Sequence, residues 1–220
     1  MRHFLSPEVG ALNAKLIPID VGIVDEFTDP SRLAGRMVSV NAGQNLWNSD
    51  IEWISADDEI AFRVFESAFE RLGIPEQAAQ YLDIDREVRL FGGFVIVRTY
   101  CTAPYFHTDW TKLNNEAFTV LTPITPNADQ FGLLYQKVNG SIGEYAYRRG
   151  EAILFGDGFY HSTKPGRSDD PVMLLCFQFG TDKMEHWPAI NGQLNTQATM
   201  LRQPDGTFLR TGGKASRQVN

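Results

Sequence analysis

Tyr105-Phe106-His107-Thr108-Asp109-Trp110 is the stretch on which the reading of this chain turns, taken together with Asp157-Gly158-Phe159-Tyr160-His161 further on. Side chains two apart on an extended strand point to the same face, so His107 and Asp109 lie side by side. A second imidazole brought alongside, such as His161, completes a cluster of two His and one carboxylate. Such a cluster holds an ion from one face and leaves open positions, an arrangement suited to non-haem Fe(II). His-x-Asp alone is short enough to arise by chance, so its surroundings decide. His107 follows an apolar run ending near Tyr100 and a Pro-containing turn, and His161 follows Glu151-Ala152-Ile153-Leu154-Phe155 and a Gly156-Asp157-Gly158 turn. Both fall at strand edges, where a barrel mouth holds ligands.

Outward from that pair of motifs, the chain after residue 90 has β character. Apolar runs cover 94–100, 117–124, 132–138, 144–147, 151–155 and 172–179, separated by Gly, Pro and Asn. Short strands at such intervals indicate a double-sheet barrel or jelly roll. Before it, Ile60, Val64, Phe65, Ala68, Phe69 and Leu72 recur at helical spacing behind a Ser55-x-x-Asp58 cap, and Gly73 ends the run. Pro75 at a first-turn position predicts a second, shorter helix. Residues 1–54 read as short strands and loops, with Asn41 to Asn48 as turn chemistry. After the barrel, Pro204-Asp205-Gly206 between two apolar runs predicts a hairpin, and the last ten residues read as a mobile tail. The expected class is therefore mainly β with flanking helices: one domain over residues 1–220, a barrel core at about 93–180, helical and loop support at 1–92, and a hairpin and tail at 183–220.

Composition excludes several classes of partner. With 20 Lys and Arg against 27 Asp and Glu, a net charge of −7 leaves no excess of cations to neutralise phosphates. No nucleic acid or membrane surface is expected, and a small-molecule substrate is. No run of eighteen uncharged apolar residues occurs and the first residues carry no leader pattern, so a cytoplasmic location is expected. The two cysteines, Cys101 and Cys176, lie in strand-like apolar surroundings and read as buried free thiols. His3 and His186 stand without partners and read as structural.

From Val95-Ile96-Val97-Arg98-Thr99-Tyr100 into His107-Thr108-Asp109-Trp110, then Arg149 to Phe155, and His161 to Pro171, the sequence resembles the Fe(II)- and 2-oxoglutarate-dependent oxygenases, with features of the phytanoyl-CoA hydroxylase-like and prolyl-hydroxylase-like branches. The resemblance covers roughly residues 93–180. It implies a double-stranded β-helix, a cupin-like jelly-roll barrel, with His107, Asp109 and His161 as iron ligands. It also implies a dioxygenase reaction in which 2-oxoglutarate and O2 are consumed and a C–H bond of a small organic substrate is hydroxylated or otherwise oxidised. The retained Asp109 favours hydroxylation over halogenation, which needs a small residue there. The chain departs from the family at the anchor for the far carboxylate of 2-oxoglutarate. The phytanoyl-CoA hydroxylase-like pattern has an Arg just past the Asp-x-Pro that opens the last strand, and that place is Val172. A buried carboxylate needs a cationic partner. Arg98, a cation in an apolar run, is the first candidate; Lys164 and Arg167 are alternatives, and Tyr100 and Thr122 can add hydroxyl hydrogen bonds. Two other readings stand beside this one. An Fe(II) oxidase or cupin-like dioxygenase that dispenses with 2-oxoglutarate explains Val172, and a non-catalytic jelly-roll binding module needs no metal. For substrate contacts, Trp110 reads as pocket wall or core, with Asn114 and Asn115 on its loop.

Overall fold

Gly166–Gly180 is the strand around which the sheets assemble in the computed structural model, which describes residues 5–6, 8–41, 43–194, 197–211 and 216–219. It pairs antiparallel with Arg89–Cys101 on one side and Ala117–Pro123 on the other. Its side chains alternate between two apolar layers: Val172, Leu174 and Cys176 face one, and Leu175, Phe177 and Phe179 the other. Neighbouring strands do the same, with Phe94, Ile96, Ile153 and Phe155 in the first layer and Val95, Ala152 and Leu154 in the second. Burial on both faces is why these segments read as continuous apolar runs and not as alternating ones.

The sheet continues through Glu52–Ala56, Met37–Val40 and Ser216–Gln218 on one flank, and through Glu151–Phe155, Ala14–Pro18, Leu5–Ser6 and Ala11–Leu12 on the other. A second sheet of three strands, His161–Thr163, Gly132–Gln136 and Ile142–Ala146, contributes Leu133, Tyr135 and Tyr145 to the first apolar layer. Two sheets facing each other across one layer make the jelly roll that the strand pattern predicts.

The second layer lies between the large sheet and the helix Glu59–Arg71, whose Phe62, Phe65 and Phe69 are fully or almost fully buried. Two details differ from the sequence reading. Asp58 caps the helix itself, accepting from the Ala61 N–H at 2.8 Å, while Ser55 belongs to the strand Glu52–Ala56. Ile60 is 64% exposed, because the face that packs runs through Ala61, Phe62, Phe65, Ala68 and Phe69. Gly73 ends the helix at φ 64°, and Ile74–Ala78 follows with Pro in its first turn, as expected.

The hairpin Met200–Arg202 and Phe208–Arg210 forms around Pro204-Asp205-Gly206. Part of the tail read as mobile is a strand: Ser216–Gln218 pairs with Met37–Val40 and covers a sheet edge that would otherwise present unpaired backbone groups. The rest of that tail at 212–215 and 220, like His3, lies outside the described residues. Cys101 and Cys176 are buried and free. No helix is long and apolar enough to cross a membrane.

Candidate metal centre

His107 and His161 meet in an isolated antiparallel bridge, each backbone N–H donating to the other's carbonyl at 2.9 Å. Their rings therefore sit on one face, 4.5 Å apart between centroids. Asp109, two residues along, brings its Oδ1 to 3.5 Å from His107 Nε2 and 3.8 Å from His161 Nε2. The three ligand atoms lie within 4.8 Å of one another, which is the triad the motif spacing predicts.

The hydrogen bonds around the triad determine what the cluster can hold. His107 Nδ1 donates to the Tyr105 carbonyl and His161 Nδ1 to the Phe159 carbonyl, both at 3.0 Å. A carbonyl only accepts, so each Nδ1 carries a proton, and a ring that is neutral then presents a bare Nε2 lone pair. Burial holds the His161 imidazole below its ordinary pKa, with Asp109 opposing, and so favours the neutral form. In that form two lone pairs and a carboxylate converge and repel one another unless a cation sits among them. Nitrogen and oxygen donors in a two-His, one-carboxylate set fit Fe(II) or a similar divalent ion.

Asp109 is held from behind. Thr119 Oγ1 donates to Asp109 Oδ2 at 2.8 Å, and Trp110 Nε1 donates to Thr119 Oγ1 at 3.0 Å, leaving Oδ1 turned to the two imidazoles. Trp110 is thus a fully buried core residue, not a pocket wall. Thr119→Val keeps the shape and deletes this relay; such supports set metal affinity, so Fe(II) affinity is expected to fall roughly tenfold, readable by competition with a chromophoric chelator, and the thermal midpoint to fall as well because the buried Trp110 N–H loses its acceptor.

The loop after Trp110 is locked to the turn before His161. Asp157 Oδ2 accepts from the Leu113 and Asn114 N–H groups at 3.1 and 3.2 Å, and Gly158 N–H donates to the Trp110 carbonyl at 2.9 Å. Asn115 is fully buried and accepts from Asn13, so it and Asn114 serve the loop and do not line the cavity.

A cavity opens beside the triad, between the two sheets. Arg98 lines it. The guanidinium is fully buried, and burial disfavours its charge, yet an arginine keeps it. Its one side-chain hydrogen bond goes to Thr163 Oγ1, and among the described residues no carboxylate pairs with it. Asp50 acts on it from a distance, but both Asp50 oxygens accept from Thr99 and Tyr100. Val172 is the cross-strand partner of Arg98 in the register of the two central strands. Side chains so paired on one face stand ~5 Å apart at Cβ, so the guanidinium starts from the position next to the one the family pattern gives its Arg.

The other four expected cosubstrate contacts lie elsewhere. Lys164 pairs with Glu144 at 2.6 Å on the surface, and Arg167 is exposed. Thr122 donates to the Glu151 carbonyl inside the sheet; one position out of phase with Thr119 and Leu121, it faces away from the cavity. Tyr100 lies beyond the register shift between Arg167 and Val172 and does not line the cavity. His186 sits near Glu185 and is not part of the triad. Residues the sequence reading passed over include Thr119, Tyr147, Gln178 and Trp47. The available signal was a polar residue inside a doubly buried apolar run, as in Phe118-Thr119-Val120 and Phe177-Gln178-Phe179.

No family model matches the sequence, and no curated protein is similar to it in sequence. Solved structures are similar in shape. HygX from Streptomyces hygroscopicus with nickel and 2-oxoglutarate bound aligns over 84% of this chain and 90% of its own at 15% identity and a TM-score of 0.57. A further HygX structure, at 14% identity, 83% and 90% coverage and a TM-score of 0.56, also holds hygromycin B. The chain has the fold of the 2-oxoglutarate-dependent oxygenases. The non-haem α-ketoglutarate-dependent epimerase SnoN from nogalamycin biosynthesis aligns over 77% and 79% at 14% identity and a TM-score of 0.52. A prolyl hydroxylase from Trichoplax adhaerens, in complex with a hypoxia-inducible-factor peptide fragment, aligns over 76% and 83% at 15% identity and a TM-score of 0.52. At these identities it is the oxygenase fold that the chains share.

Proposed function

We propose that this protein is an Fe(II)- and 2-oxoglutarate-dependent oxygenase that oxidises a C–H bond of a small organic molecule. The observation that carries the reading is Arg98: a buried guanidinium, without a carboxylate partner among the described residues, in the cavity that also holds the triad. A buried cation of this kind is costly unless an anion joins it, and the far carboxylate of 2-oxoglutarate is such an anion. The reading without 2-oxoglutarate rested on the absence of a cation at position 172, and Arg98 opposite Val172 removes its ground.

His107, Asp109 and His161 would hold the metal, and Arg98 with Thr163 would hold the far carboxylate. When bound, Fe(II), 2-oxoglutarate and O2 supply the oxidising chemistry, with succinate and CO2 as coproducts. The protein's own part is positional. Thr119 and Trp110 hold the Asp109 carboxylate in one orientation. The carbonyls of Tyr105 and Phe159 keep both imidazoles in the tautomer that presents Nε2. Trp47, stacked on His107 at 5.1 Å and Tyr105 at 5.8 Å, screens the exposed side of the cluster from water.

The chain acts as one catalytic unit in this reading, because Ala14–Pro18 and Ser216–Gln218 both complete the large sheet. A cytoplasmic setting suits Cys101 and Cys176 as free thiols. Under air, Fe(II)-loaded protein is expected to convert 2-oxoglutarate to succinate slowly even without a substrate, and Asp109→Ala to abolish this. Mass spectrometry for succinate decides it; none above the metal-free background across a broad substrate panel would contradict the proposal.

A further inference from the structure

The cavity has a second polar feature that neither the triad nor Arg98 uses. Gln178 and Gln197 line it, 3% and 8% exposed. Gln178 Nε2 donates to Gln197 Oε1 at 3.3 Å, and the two side chains have no other hydrogen-bond partner among the described residues. A carboxamide offers one acceptor oxygen and two N–H donors. One bond between two such groups leaves a free acceptor and free donors, whichever way each amide is turned. Buried polar groups normally find partners, so this pair is poised for one.

Its position separates it from Arg98. Gln178 pairs in register with Thr119, which holds Asp109, whereas Arg98 pairs with Val172. The six steps from Val172 to Gln178 put ~20 Å of strand, at ~3.3 Å each, between the two backbone positions. The Gln pair is therefore level with Thr119 and Asp109, whereas Arg98 starts from the other end of the strand and its guanidinium turns to Thr163. Gln197 is fixed there because Thr199 N–H donates to Ser55 Oγ at 3.1 Å and Thr199 Oγ1 to the Ala56 carbonyl at 2.7 Å, pinning its segment to the large sheet. The nearby walls are apolar: Trp53 and Phe94 line the same cavity, and Trp47 packs edge-on to Trp53 at 5.6 Å.

The charge inventory of the lining narrows the ligand further. Arg98, His107, Asp109 and His161 are its charged and metal-ligating side chains. Burial pushes the Tyr147 phenol and the Cys176 thiol up, so both stay neutral. With metal and cosubstrate accounted for, no charge remains to meet a charged substrate group, which would be desolvated without a counter-charge.

We propose that Gln178 and Gln197 are specificity-determining residues that bind a neutral hydroxyl or carboxamide group of the substrate, with its apolar body against Trp47 and Trp53. The inference rests on the 2-oxoglutarate reading, which assigns Arg98 to the cosubstrate. It is tested with benzamide, benzoate and benzylamine as probes, titrated into metal-free protein and into Fe(II)- and 2-oxoglutarate-loaded protein under argon, reading quenching of tryptophan emission. Benzamide is expected to bind in both states and to bind loaded protein more tightly than either charged probe. Gln178→Leu and Gln197→Leu should each weaken benzamide roughly tenfold, the effect of losing one hydrogen bond in a buried site. Gln178→Glu should shift the preference to benzylamine, a gain that misfolding cannot mimic. Benzamide binding absent, or unchanged in all three variants, overturns the inference, as does tighter binding of a charged probe to loaded protein. Benzamide binding that depends on the Gln pair in metal-free protein, with no sign of a 2-oxoglutarate complex in loaded protein, upholds the amide site and counts against the cosubstrate alone.

Discussion

Arg98→Leu is expected to weaken 2-oxoglutarate binding by roughly 100-fold or more, because removing one partner of a buried, hydrogen-bonded charge pair costs several kcal/mol. The same substitution should raise the thermal midpoint of the ligand-free protein. There the guanidinium is buried with Thr163 Oγ1 as its hydrogen-bond partner, and an apolar side chain would pack beside Val172 and Ile96 at no such desolvation cost. Lower ligand affinity with higher ligand-free stability is the signature of a residue kept for binding; a merely structural cation would lose both. Calorimetry with Fe(II)-loaded protein under argon measures the first and thermal unfolding the second. The register supplies a rescue. Adding Val172→Arg to Arg98→Leu returns a guanidinium to the same level of the cavity from the neighbouring strand, and most of the lost affinity should return. A dissociation constant within about threefold of the parent, ~0.6 kcal/mol, would remove Arg98 as the anchor.

Asp109→Ala and His161→Ala should each reduce bound Fe(II) from about one ion per chain to near none at micromolar metal, because a divalent ion held from one face by three ligands does not survive the loss of one. Metal analysis after desalting measures it. Metal binding to the folded state also stabilises it. A chelator should therefore lower the thermal midpoint of the Fe(II)-loaded parent while leaving that of Asp109→Ala unmoved. A binding module without catalysis predicts the opposite: replacing His107 or Asp109 leaves metal content and ligand affinity as they were.

The grouping of His107, Asp109 and His161 was legible because it follows from residue type and spacing. His107 and Asp109 are two apart on an extended segment, and His161 opens a strand after a Gly-rich turn. The barrel was legible from its apolar runs, although the 94–100 and 172–179 strands proved longer, as Arg89–Cys101 and Gly166–Gly180. The Arg98 end of the cavity was only partly legible. Arg98 stood out as a cation in an apolar run, but its relation to Val172 depends on a cross-strand register that local sequence does not encode. Thr122 was expected at the site where Thr119 serves it, since a strand buried on both faces has no polar side to set the phase. Gln178 and Gln197 come together from a sheet strand and a segment nineteen positions on, and no local pattern links them. Lys164 and Arg167 carried the right charge, but on a loop and strand end that face solvent, where Glu144 neutralises Lys164.

Chelation of 2-oxoglutarate at the triad is visible in a single spectrum. Fe(II) and then 2-oxoglutarate are added to the protein under argon, and the visible region is scanned for the charge-transfer absorption of a chelated 2-oxo acid. The band is expected with the parent protein, with Lys164→Ala and with Arg167→Ala, and at the same cosubstrate concentration it should be lost in Arg98→Ala and in Asp109→Ala. Parent protein that binds Fe(II) and gives no band at any 2-oxoglutarate concentration would contradict the account.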